Sequence, residues 1–160
     1  MKNTGPELSN AILLTGLLAG VLDGTAAVIV YLIRGGRTPE RIYNYIASGV
    51  FGPAAMTGGT PMVFAGIALH LVIAMGWTVL FFLAARQFEG LRRHAVAAAV
   101  GYGLFVWIMM NRVVLPLSRV QLAATLTWNS IIVGALVLVV CIGFPVSMGA
   151  RRYFSQDEGR

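Results

Sequence analysis

Four long stretches of this chain are built almost entirely from apolar residues, with short polar segments between them. They run from Ala11 to Ile33, from Pro61 to Ala85, from Ala95 to about Leu115, and from about Leu122 to Ser147. About 20 apolar residues in an α-helix span the hydrocarbon layer of a bilayer, and a helix satisfies its own backbone polar groups there. The pattern therefore predicts an all-α integral membrane protein with four transmembrane helices, forming one membrane domain over residues 1–160. The first stretch follows Lys2, as the apolar core of a secretory signal would. It is longer than the roughly 7–15 residues of such a core and lacks a clear small-x-small cleavage site, so it reads as an uncleaved helix.

The segment between the first two stretches, Arg34 to Thr60, has 27 residues, too many for a simple link between antiparallel helices. Thr38, Pro39 and Glu40 together make a helix start: an N-cap hydroxyl, a proline at the first position and an acid in the first turn. Ile42, Ile46, Ala47 and Val50 then share one face, with Arg41, Asn44 and Ser48 mainly off it. A short amphipathic interfacial helix over residues 39–50 is expected, with Tyr43 and Tyr45 at headgroup level. Gly49, Gly52, Pro53, Gly58 and Gly59 break the chain before the second stretch; a re-entrant hairpin is the bolder reading of that break.

Composition removes the soluble alternatives. With 58% hydrophobic residues, 11% charged residues and a mean hydropathy of +0.78, the chain is too apolar for an ordinary soluble domain. Its net charge of +6 does not point to nucleic acid, because the basic residues lie at the ends of the apolar stretches rather than on one face. They act as topology signals. Lys2, Arg86, Arg92, Arg93, Arg151, Arg152 and Arg160 fall on one side and Arg34, Arg37, Arg41, Arg112 and Arg119 on the other; seven against five predicts cytoplasmic termini. The single Cys141 lies within the fourth stretch, which excludes an intramolecular disulfide.

Asp23 is the one acidic residue inside any of the apolar stretches. A carboxylate at mid-depth costs several kcal/mol unless paired or protonated. It stands about ten residues, roughly 15 Å, from the Arg34 end of its helix. His70 lies at a similar depth from the same face, and Trp107, Asn111 and Asn129 fall in the same half of their helices. On the second helix Gly66, His70, Ala74 and Trp77 share a stripe, and on the third Gly103, Trp107 and Asn111 do, with Arg112 adjacent. Gly16, Gly20 and Gly24 beside Asp23 allow a neighbouring helix to approach closely; packing inside the bundle is favoured over a dimer seam. These spacings make Asp23, His70, Asn111, Arg112, Trp107 and Asn129 the candidate ligand- or proton-binding residues, with His70 and Arg112 as partners for Asp23. Each also has a structural reading, as helix–helix glue or as an interfacial anchor.

His94, the second histidine, lies at the opposite face from His70, so no metal site and no cofactor are expected. No metalloprotease, nucleophile-elbow, phosphate-loop or dinucleotide motif occurs, and no reaction is indicated. Leu22-Asp23, Ile46 to Gly52, Gly58-Gly59, Gly66 to His70, Tyr102-Gly103 and above all Met110 to Ser118 resemble a group of small bacterial four-helix integral membrane proteins that carry no functional name. The resemblance covers about residues 11–120 and implies a bacterial cytoplasmic (inner) membrane protein; it supplies no activity. Two functional readings follow. In one, a polar pocket in one half of the bundle binds or transports a small polar or anionic solute or protons, the chain working as a homo-oligomer. In the other, the protein is a non-catalytic accessory or assembly subunit of a membrane complex. A cavity lined by Asp23 and His70 would favour the first, and a filled, mutually hydrogen-bonded core the second.

Overall fold

The computed structural model describes residues 7–121 and 127–158. Among the described residues the regular structure is helical throughout, without strands. The helices are α1 (Leu8–Ile33), α2 (Glu40–Phe51), α3 (Gly59–Gln87), the single turn α4 (Glu89–Arg93), α5 (Ala95–Leu117) and α6 (Trp128–Gln156). Of these, α1, α3, α5 and α6 are long and apolar enough to cross a membrane.

The helix ends follow local hydrogen bonding rather than the edges of the apolar runs. α1 begins at Leu8 because the Asn10 and Ala11 amides already donate to the Glu7 carbonyl. It ends in a left-handed turn at Gly35 (φ 88°), where the Gly36 amide reaches back to the Tyr31 carbonyl at 3.0 Å. Among the described residues the fourth helix starts at Trp128, where the Thr127 side chain accepts from the Ser130 amide at 3.3 Å and caps it. Residues 122–126 of the expected fourth span lie outside the described residues. α6 then continues past Ser147 to Gln156.

α2 occupies the place expected for the amphipathic helix, shifted by one residue. Its N-cap is Pro39, and the Thr38 hydroxyl does not cap it; the Thr38 carbonyl accepts from the Arg41 amide instead. Ile42 and Ile46 are half-buried and Arg41 is exposed, as the periodicity predicts. Ser48, expected off the buried face, is buried with Ala47, and its hydroxyl is satisfied by the Tyr45 carbonyl at 2.7 Å. The reason lies on α3. A side chain at Gly66 would overlap the Tyr43 backbone, so α2 lies directly on α3 with its small residues inward. A 3-10 turn, Pro53–Thr57, links the two.

The glycine stripe of α1 faces α3. A Cβ at Gly20 would stand 2.9 Å from Leu71 Cδ2 and 3.2 Å from Ala74 Cβ, and one at Gly16 2.7 Å from Met75 Sδ. α1 and α5 each pack along α6, and α5 and α6 cross with backbone in contact at Gly103 and Gly143. α3 and α5 meet mainly through side chains. Phe81 packs edge-on against Tyr102 at 4.8 Å, Trp77 against Phe105 at 6.0 Å, and the Tyr102 hydroxyl donates to the Trp77 carbonyl. Phe81, Phe82, Val106, Ile142 and Val146 form the buried core. The outer surface is as apolar as the interior: Leu14 and Val72 are each 68% exposed, which suits lipid as the surrounding solvent.

Both α5 and α6 contain a π-helical turn, Met110–Val114 and Val139–Gly143. Such turns are rare and recur at functional sites.

Candidate functional site

A cavity of about 420 Å³ opens beneath α2, bounded by α1, α2, α3, α5 and α6. This volume falls in the range of about 300–1,000 Å³ typical of small-molecule sites. Asp23 and His70 stand in its wall, and both π-helical turns border it through Met110, Val114 and Ile142. The roof is held down at its far end: the Arg119 amide donates to the Gly49 carbonyl at 2.9 Å, which ties the segment after α5 to α2.

The two charged candidates are brought together by the absence of a side chain between them. A Cβ at Gly24 would lie 3.1 Å from His70 Nε2 and 3.4 Å from the Tyr43 hydroxyl, so the imidazole rests on the surface of α1 beside Asp23. His70 Nε2 is 2.9 Å from the Gly20 carbonyl and 3.9 Å from Asp23 Oδ2. A carbonyl only accepts, so Nε2 carries the proton and donates it to Gly20. The carboxylate stands beyond hydrogen-bond distance from that nitrogen, near enough for charge to be felt when the ring is protonated. Among the described residues, no group donates a hydrogen bond to Asp23.

The other candidates are elsewhere. Asn111 donates its amide to the Trp107 carbonyl of its own helix at 2.9 Å, where the π-helical turn begins, and is satisfied there. Trp107 faces α6: its indole nitrogen would be 2.9 Å from a Cβ at Gly134. Arg112 is exposed and makes no ion pair with Asp23. Asn129 is exposed at the first turn of α6, where its carbonyl accepts from Arg34 at 3.5 Å, while Arg34 also donates to Ser130 Oγ at 3.1 Å. None of these four lines the cavity. The expected depth of Asn129 rested on a helix starting near Leu122; the start at Trp128 puts it at the end instead.

The wall also contains residues outside the candidate set. Trp77 and Ala74 line it from the same stripe as His70, a position the spacing did indicate. Ser118 and Tyr45 also line it. The Ser118 hydroxyl is taken up locally, donating to the Leu115 carbonyl at 2.7 Å and accepting from the Val120 amide at 3.3 Å. Burial pushes the Tyr45 phenol above its ordinary value of 10.0. The folded state thus holds this proton more tightly than the unfolded chain, so the contribution to stability is complete below about pH 10 and is lost as pH rises through the raised value. Thermal midpoints measured from pH 8 to 12 should fall less steeply in Tyr45→Phe than in the wild type, and identical slopes would exclude the effect.

Among the described residues no group of three or more His, Cys, Asp or Glu side chains is arranged to hold a metal ion. Comparison of the chain with protein-family models, with curated proteins and with solved structures finds no match.

Proposed function

We propose that this chain is a multi-pass integral membrane protein that binds a small molecule, with proton exchange available at the Asp23–His70 pair, in the cavity beneath α2. The observation that carries this reading is that the bundle is hollow where its one mid-depth acid stands. A carboxyl in apolar surroundings with no donor is costly to keep unless it meets a partner the protein itself does not supply. The apolar wall changes the ligand expected from sequence alone. With Arg112 and Asn129 outside the cavity, no described arginine or lysine lines it to favour an anionic solute, and the bulk of the ligand must be apolar.

In the same reading α2 lies at the membrane interface, the membrane is the bacterial cytoplasmic one, and both termini are cytoplasmic. The supports are the amphipathic pattern of α2, the resemblance of residues 11–120, and the seven-to-five basic asymmetry. The accessory-subunit reading keeps one support: the Tyr102 and Ser147 hydroxyls donate to backbone carbonyls of neighbouring helices, at Trp77 and Ala95, as helix glue does.

Native mass spectrometry of protein extracted in mild detergent should show an adduct of small-molecule mass on the wild type. Ala27→Phe, which fills the cavity from α1, should lose it without loss of thermal stability. An adduct retained by the filled variant, or a wild type that carries none under any extraction, would refute a binding role for this cavity.

A further inference from the structure

The polar groups on the cavity wall differ in how far they are already committed, and this difference selects the ligand's head group. Ser118 is bonded on both sides within its own turn. His70 gives its Nε2 proton to the Gly20 carbonyl. The Asp23 carboxyl receives no hydrogen bond from any described residue, its nearest charged neighbour being His70 at 3.9 Å. Among the described residues no arginine or lysine lines the wall, which is otherwise mainly aliphatic, with Trp77 and Tyr45 as its large aromatics.

A carboxyl that no described residue bonds discriminates among ligands in such a setting. A carboxylate or phosphate head brings a second acid into a low-dielectric site where no described arginine or lysine offsets it. A neutral hydroxyl can donate one hydrogen bond. A protonated amine donates a charge-assisted bond and neutralises the acid. From this geometry we propose that the cavity selects amphiphilic amines, with an apolar body against Trp77, Ile46 and Ile73 and a protonated nitrogen on the Asp23 carboxylate. The proposal rests on the reading of the cavity as a binding site and specifies the ligand class of that site.

A matched series separates the two ideas: 4-phenylbutylamine, 4-phenylbutanol and 4-phenylbutyrate share one body and differ in the head. Binding is measured by saturation-transfer NMR on protein in phosphatidylcholine nanodiscs, with empty nanodiscs subtracted. A charge-assisted bond should give the amine about a 10–100-fold advantage over the alcohol, with the carboxylate weakest. That margin should vanish in Asp23→Asn and persist in Asp23→Glu, which keeps the carboxylate. Equal binding of amine and carboxylate, or an amine margin that survives Asp23→Asn, would overturn the selectivity. If the alcohol still binds in the wild type and is lost in Ala27→Phe, the cavity remains a binding site and only the head-group assignment falls. If none of the three probes binds, both fall.

Discussion

Replacing Gly143 with alanine should destabilise the bundle by about 1–3 kcal/mol, and replacing it with leucine should leave little folded protein to purify. A Cβ there would overlap the Ala99 carbonyl oxygen and stand 3.0 Å from the Ala99 carbonyl carbon and 3.3 Å from the Gly103 amide nitrogen. These are backbone atoms of α5, which cannot rotate aside as a side-chain tip would. The crossing is reciprocal, since a Cβ at Gly103 would overlap the backbone of Val139. α5 and α6 can separate only by giving up the contact that buries Val106 and Ile142 in the core. Gly76 is the control: nothing lies within 4 Å of a Cβ there, so Gly76→Ala should be neutral or should stabilise by about 0.5–1 kcal/mol. Unfolding midpoints in mixed micelles of a mild detergent and dodecyl sulfate provide the comparison. Equal midpoints for Gly143→Ala and Gly76→Ala would show that the close crossing is not what holds these helices.

The second large effect is expected at the Asp23–His70 pair. Removing His70, by His70→Leu, should cost about 1–3 kcal/mol, because it leaves the Asp23 carboxyl without its polar neighbour; Asp23→Asn, which removes a carboxyl that no described residue bonds, should cost less. The two losses should not add. A coupling of about 0.5–3 kcal/mol is expected for groups that share one site. His70→Leu also forfeits the 2.9 Å bond from Nε2 to the Gly20 carbonyl, which Asp23 does not share, so the histidine variant should be the weaker of the two. The double-mutant cycle isolates the shared part. Strictly additive midpoints in the double variant would mean that 3.9 Å separates two independent residues.

The long apolar runs made the four bundle-forming helices legible from the sequence, because a run of that length has few other uses. Their ends were less legible. Among the described residues α6 starts at Trp128 under a Thr127 cap, a hydrogen bond that hydropathy does not record. The Asp23–His70 approach was legible as well, since depth and glycine spacing both pointed to it, and the structure brings the two groups within 3.9 Å. Trp107, Asn111 and Arg112 join them by depth and by a stripe on their own helix, and Asn129 by depth; a stripe says which residues share a face, not which neighbour that face meets. Depth says nothing about direction around the bundle axis: Asn111 turns its amide back to its own helix, and Trp107 turns toward Gly134. The hollow itself could not be read, because a cavity is a property of five elements packing imperfectly together, and no single helix records it.

The two π-helical turns bear on how that hollow is lined. A turn closed by i→i+5 bonds holds one residue more than an α turn, so α5 and α6 each store a residue of slack beside the cavity. Were either turn to relax into regular α-helix, one half of that helix would advance by about 1.5 Å and rotate by about 100° against the other. Met110, Val114 and Ile142 all reach the wall from within these turns. Which side chains a ligand meets is therefore fixed by hydrogen-bond register in two short segments as much as by the residues themselves.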